Sequence, residues 1–115
     1  MLGIELTEAA NGIARAKLTL NHQHLNGVGI AHGGVIFSLA DFTLAAAANS
    51  HGKLAVAINS GISFVKAAEK GTIYAHARET SINAKLATYF IEVTNQQNEL
   101  IATMQGMVYR KKEVY

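Results

Sequence analysis

The sequence predicts an α+β domain in which a curved antiparallel sheet of about six strands wraps one central helix. Three observations predict it. A single stretch of helix-forming composition, Gly34 to about Asn49, stands among segments whose apolar residues alternate with period two. The connections between those segments are short enough for antiparallel hairpins. The helix has no charged arc, so its surface calls for protein around it.

Taken in order, Ile4 to Leu20 alternates on both sides of Asn11-Gly12, a dipeptide suited to the positive φ angles of a tight turn, and reads as a hairpin. Residues 21–31, with two glycines, two asparagines and two histidines and no periodicity, read as a loop. The helix follows, with Gly52 as its terminator. Four alternating runs then cover residues 53–65, 72–80, 87–95 and 100–110. In the first, Leu54, Val56, Ile58, Ile62 and Phe64 fall on one face and Ala55, Ala57, Asn59, Gly61 and Ser63 on the other. The large face is expected to pack on the helix.

At 115 residues the chain fits one domain, residues 1–115. Half the residues are apolar and 16% are charged, a balance that excludes disorder and leaves apolar area for a partner subunit. The net charge of +2 is spread thinly, apart from "RKK" at Arg110 to Lys112, which reads as a solvated strand end, so no nucleic-acid footprint is expected. There is no cysteine, hence neither a disulfide framework nor a thiol nucleophile. The alternating pattern begins within three residues of Met1, and no charge-free run is long enough to span a bilayer. The expectation is a cytoplasmic protein with no signal peptide and no membrane contact.

The chemistry centres on Asp41, a carboxylate inside an apolar helix. On a helix it shares a face with Gly34, Phe37 or Ser38, Ala45 and Ala48. With protein expected nearly all round, it must find donors, such as backbone amides or the strand residue Arg78, or sit beside a cavity. Just before the helix, His32-Gly33-Gly34 supplies a terminus whose unpaired amides can bind an anion or a carbonyl oxygen becoming one. Terminus and carboxylate are each half of an acyl-transfer site. Gly34 and Asp41 of one chain lie about 10.5 Å apart along the axis, too far to serve one carbonyl. A second helix, antiparallel across a two-fold axis, would bring the partner's Asp41 to the first chain's Gly34. Ser38 lacks a glycine elbow and a nearby histidine, and reads as a hydroxyl bonded to backbone or lining a pocket. His22, His24 and His32 lack a carboxylate or thiol at ligand spacing, so no metal is expected.

The set Asn26, His32, Gly33, Gly34, Phe37 to Asp41 and Asn49 resembles the hotdog-fold acyl-CoA thioesterases of the phenylacetate-degradation type. The likeness continues through Phe64, Gly71 and "YFIEVTNQQ". It implies hydrolysis of acyl-CoA, including aryl- or phenylacetyl-type thioesters, without a cofactor. It also implies a homodimer with a continuous sheet, often paired into a homotetramer, with sites across the dimer interface. By position, Asp41 would be the general base or nucleophile. Gly33 and Gly34 would supply the donor to the thioester oxygen, while Asn26 and His32 would orient the thioester and the water. Phe37, Ser38, Phe42, Ala45 and Ala48 would line the acyl pocket. The chain departs from the pattern at Ala67, where relatives commonly carry proline, and at Asn83-Ala84, where they often carry glycine and a basic residue. Lys85, then Lys66 or Lys70, become the candidates for the nucleotide phosphates. An enoyl-thioester hydratase of the same fold is disfavoured, because Asn26 stands where such enzymes place an aspartate and an amide cannot abstract a proton. A non-catalytic acyl-CoA-binding protein of this fold would not need Asp41.

Overall fold

The computed structural model describes residues 3–27 and 29–114, the side chains of the last three excepted. Met1, Leu2 and the Lys112 side chain, on which the readings of the chain start and the basic run draw, lie outside the described residues. Strands β1 (Glu5–Ala10) and β2 (Ile13–Thr19) form the first hairpin, and a single 3-10 turn covers His22–His24. Helix α1 (Gly33–Asn49) precedes β3 (Lys53–Phe64), β4 (Thr72–Ile82), β5 (Leu86–Thr94) and β6 (Leu100–Val114). The six strands make one antiparallel sheet in the order β1-β2-β4-β5-β6-β3. Asn11 and Gly12 take φ of 54° and 80°, the pair of positive values a two-residue hairpin turn requires. No helix is long and apolar enough to cross a membrane among the described residues.

The helix lies on a sheet face made small by alanine. Ala14, Ala16, Ala75, Ala77 and Ala87 are buried there beside Leu18, Ile73, Ile91 and Met104, and Leu39, Ala40, Leu44 and Ala47 descend onto them from α1. Gly106 of β6 belongs to the same fit: a Cβ there would stand 2.6 Å from Leu44. The buried hydroxyl of Thr43 donates to the Leu39 carbonyl at 2.7 Å, so it enters the core satisfied.

The C-terminal end of α1 is pinned by side chains. Asn49 donates to the Ala45 carbonyl and accepts the N–H of Ala55, tying the helix to the start of β3. Ser50 Oγ accepts the N–H of Gly12 at 2.8 Å. Below it, Glu79 Oε1 accepts the Tyr89 hydroxyl at 3.0 Å and meets His51 Nε2 at 2.7 Å. Burial, with the Glu79 carboxylate beside it, pushes the Tyr89 phenol above its ordinary range. Gly12 is needed at this corner, because a side chain would begin 2.9 Å from the Glu79 carboxyl group.

Two expectations change. The helix begins one residue earlier, at Gly33, and the loop before it contains the 3-10 turn. The large face of β3 does not pack on the helix as a unit, because a bulge between Ala57 and Asn59 shifts the register. Before it, Ala57 pairs with buried Val108; after it, Ile62 pairs with buried Met104, so these share the helix face while Val56 faces out opposite exposed Tyr109. Val56, Ile58 and Phe64 are 40%, 54% and 54% exposed on a strand that forms the sheet edge. Within this chain one stripe of the helix is left uncovered: Gly34, Phe42 and Ala45 are exposed, with Ser38, Asp41 and Asn49 half-buried.

Candidate active site

The segment that delivers the chain to α1 is closed on itself. Leu25 and Ala31 form an antiparallel bridge, the Asn26 N–H donates to the Ile30 carbonyl at 2.8 Å, and Asn26 Oδ1 accepts the N–H of Ile30 at 3.3 Å. Asn26 is therefore engaged in shaping this loop, a role beside the thioester-orienting one expected of it. The loop is braced at its end by the Ala31 N–H to the Ala68 carbonyl at 2.7 Å and the His32 N–H to the His24 carbonyl at 2.9 Å.

His32 is the N-cap of α1, exposed and without a side-chain capping bond; its carbonyl accepts the N–H groups of Val35 and Ile36. Among the described residues the N–H groups of Gly33 and Gly34 have no backbone acceptor. Two donors thus point out at the positive end of a four-turn helix, the arrangement that favours negative charge. The glycines differ in surroundings. A Cβ on Gly33 would meet the Phe64 ring at 3.2 Å, whereas one on Gly34 would meet nothing within 4 Å. Gly33 is crowded by the ring. Gly34 borders open space beside its amide.

Asp41 lies two turns on, in the same uncovered stripe, half-buried. Among the described residues its carboxylate has neither hydrogen-bond donor nor ion-pair partner. Arg78, the candidate counter-ion, instead approaches Glu92 at 3.5 Å and stacks 4.9 Å over the Phe90 ring. Ser38 Oγ donates to the Gly34 carbonyl at 2.8 Å, which occupies the hydroxyl and leaves the amide of Gly34 alone.

One turn past Asp41 an apolar groove of about 330 Å³ opens, walled by Phe42, Ala45 and Ala46 of α1 and by Leu6 and Ala9 of β1. Phe42 and Ala45, two of the residues expected to line an acyl pocket, wall this groove. Ala48 and Phe37 do not line it: Ala48 is buried in the core and Phe37 is partly buried against it. The β1 wall escaped the sequence reading, because Leu6 and Ala9 lie outside the helix segment from which pocket walls were drawn. Lys85 sits in the β4–β5 turn, its N–H donating to Asn83 Oδ1 at 2.9 Å, while the Arg110 guanidinium donates to the Asn83 carbonyl at 2.7 Å. Lys66 is paired with Glu99 at 2.5 Å; Lys85 has no ion-pair partner among the described residues.

The profile of the Thioesterase superfamily matches residues 28–102. A provisional esterase of Archaeoglobus fulgidus is 45% identical over 114 residues, 98% of this chain and 74% of that protein. The acyl-coenzyme A thioesterase PaaI of Escherichia coli is 37% identical over 110 residues, 95% of this chain and 79% of that protein. The structure of the PaaI protein from the phenylacetic acid degradation operon of Escherichia coli superposes with a TM-score of 0.95 at 36% identity, covering 98% of this chain and 83% of that one. With a helix whose glycine terminus and carboxylate share one open face, and a six-stranded antiparallel sheet behind it, the chain belongs to the thioesterase superfamily, as a hotdog-fold thioesterase of the PaaI type.

Proposed function

We propose that the protein is a cytoplasmic enzyme that hydrolyses acyl-CoA thioesters to the free acid and coenzyme A. The observation that carries this reading is the pairing, on one uncovered helix stripe, of the unoccupied Gly34 amide with the unpartnered Asp41 carboxylate. The Gly34 N–H, with Gly33 beside it, receives the thioester oxygen and stabilises the negative charge that develops there. Asp41 acts on the carbonyl carbon either by taking a proton from an attacking water or by attacking directly to give a mixed anhydride that water then opens. In both cases the C–S bond breaks and the thiolate leaves to be protonated by solvent. His32 and Asn26, at the two ends of the loop, orient the thioester and the water. The PaaI relative, named for acyl-coenzyme A, supports the substrate class.

The distance of about 10.5 Å along one helix between Gly34 and Asp41 means that each site takes Asp41 from a second copy. The β3 edge supports that copy: it offers unpaired backbone and exposed Val56, Ile58 and Phe64, so two β3 strands can join the sheets and lay the helices antiparallel. A tetramer made of two such dimers follows the PaaI likeness. The groove of Phe42 and Ala45 receives the acyl group, with room for a phenylacetyl-type ring. Lys85 faces the nucleotide phosphates.

Release of the coenzyme A thiol from a panel of acetyl-, hexanoyl-, benzoyl- and phenylacetyl-CoA tests the proposal. Catalytic release from at least one member supports it. Tight binding without release would make the protein an acyl-CoA-binding member of the fold instead.

A further inference from the structure

A buried imidazole lies in the loop that leads to the helix terminus. His24 is 3% exposed, and its Nδ1 accepts the N–H of Asn21 at 3.0 Å. A backbone amide only donates, so this nitrogen is the acceptor and carries no proton. In return the Asn21 carboxamide oxygen accepts the N–H of Gln23 at 2.9 Å, closing the 3-10 turn on both sides. The carbonyl of the same residue, His24, accepts the N–H of His32.

The geometry makes this chain of bonds consequential. His32 caps α1 with its backbone alone, and two glycines follow it. Glycine gives up more conformational freedom than any other residue, so the direction of the Gly34 amide needs bracing from outside. Donors that stabilise charge in a transition state act by being fixed in advance, and a displacement near 1 Å is enough to lose much of their effect. The peptide unit of His24 is one of the two braces, and the buried ring fixes that unit.

Resting on the reading that the Gly34 amide polarises the thioester, we propose that His24 is a positioning residue: its imidazole locks the 21–24 turn, whose carbonyl docks His32 and aims the Gly34 N–H. The sequence offered no sign of this, because His24 stood beside His22 in an aperiodic loop.

Two variants of the full chain, labelled with nitrogen-15, decide the matter. His24→Asn keeps an acceptor atom attached to Cγ, where Nδ1 was; His24→Leu keeps bulk and loses the acceptor. For whichever acyl-CoA the wild type turns over, His24→Leu is expected to lower kcat about tenfold with KM within about twofold, and His24→Asn to restore kcat to within about threefold. The His32 amide should lose hydrogen-exchange protection in His24→Leu and regain it in His24→Asn, with the Gly34 resonance following. Folded His24→Leu with unchanged kcat, or equal loss in both variants, would overturn the proposal. If His24→Leu does not fold, folded His24→Asn decides alone: near wild-type kcat supports the proposal and a tenfold loss overturns it. Should the wild type release no coenzyme A from any substrate, the functional reading fails. The positioning role is then decided by exchange alone, and an unchanged His32 amide in His24→Leu overturns it.

Discussion

The Phe64 ring stands 3.2 Å from where a side chain on Gly33 would begin, while the corresponding point on the adjacent Gly34 faces open space. The ring thus crowds a side chain at the first glycine, and the second leaves room over a free amide. Both positions lie in the first helical turn and neither has positive φ, so alanine gains the same helix propensity at each. Gly34→Ala should therefore be the more stable variant, by about 1 kcal/mol, since only Gly33→Ala must displace the ring. Activity should order the other way. Gly34→Ala is expected to lose at least about tenfold in kcat/KM as its methyl crowds the donor, and Gly33→Ala much less. Thermal unfolding and steady-state kinetics on the two variants check both halves.

His76 gives a pH dependence that is independent of catalysis. It pairs across strands with Arg15 and Glu92, and burial, then the charges of Arg15 and Arg78, hold its pKa below the ordinary 6.5, against the opposing pull of Glu92 and Glu8. The unfolded chain therefore takes up this proton first as pH falls, so His76 contributes no penalty well above 6.5 and an increasing one below it. His76→Gln should flatten the acid loss of stability. Urea unfolding of both proteins at neutral pH and near pH 5 measures it, and parallel losses would remove His76 as the cause.

Much of this was legible in the sequence because period and turn chemistry are local. Asn11-Gly12 announced its hairpin, the alternating runs their strands, and the alanine-rich segment its helix. What stayed hidden depends on distant contacts. The bulge at Ile58 leaves the composition of β3 unchanged yet moves Val56 and Ile62 to opposite faces. Gly33 and Gly34 are alike until Phe64, thirty residues on, separates them. Leu6 and Ala9 become pocket walls only when β1 lies beside α1. The uncovered stripe of the helix, by contrast, fits the absence of any charged arc, which called for protein around the helix without saying which chain supplies it.

Recognition of the nucleotide should be weak and electrostatic. Lys66 is occupied by Glu99, and Lys85 is exposed and unpaired among the described residues. Lys85→Ala should raise KM for the acyl-CoA about threefold and leave kcat unchanged, because a remote phosphate is bound equally in ground and transition states. The effect should shrink as salt is added. Kinetics at two ionic strengths read it directly, and an unchanged KM at both removes Lys85 from the site.

A site shared between copies predicts complementation. Gly34→Pro removes the donor and Asp41→Asn the carboxylate, so each variant alone should be inactive. In a mixed dimer one of the two sites combines an intact Gly34 with an intact Asp41, and activity should return toward half the wild-type value. Heterodimers verified by mass that show no recovery would contradict the shared-site geometry.

Asp41→Asn tests the central claim most directly. The substitution keeps the size of the side chain and breaks no bond made among the described residues, so the unfolding midpoint should stay near that of the wild type. Against the best acyl-CoA substrate its kcat should fall at least about a hundredfold, since an amide can neither accept the proton of water nor attack the thioester. A folded Asp41→Asn protein that hydrolyses acyl-CoA at close to the wild-type rate would contradict the account.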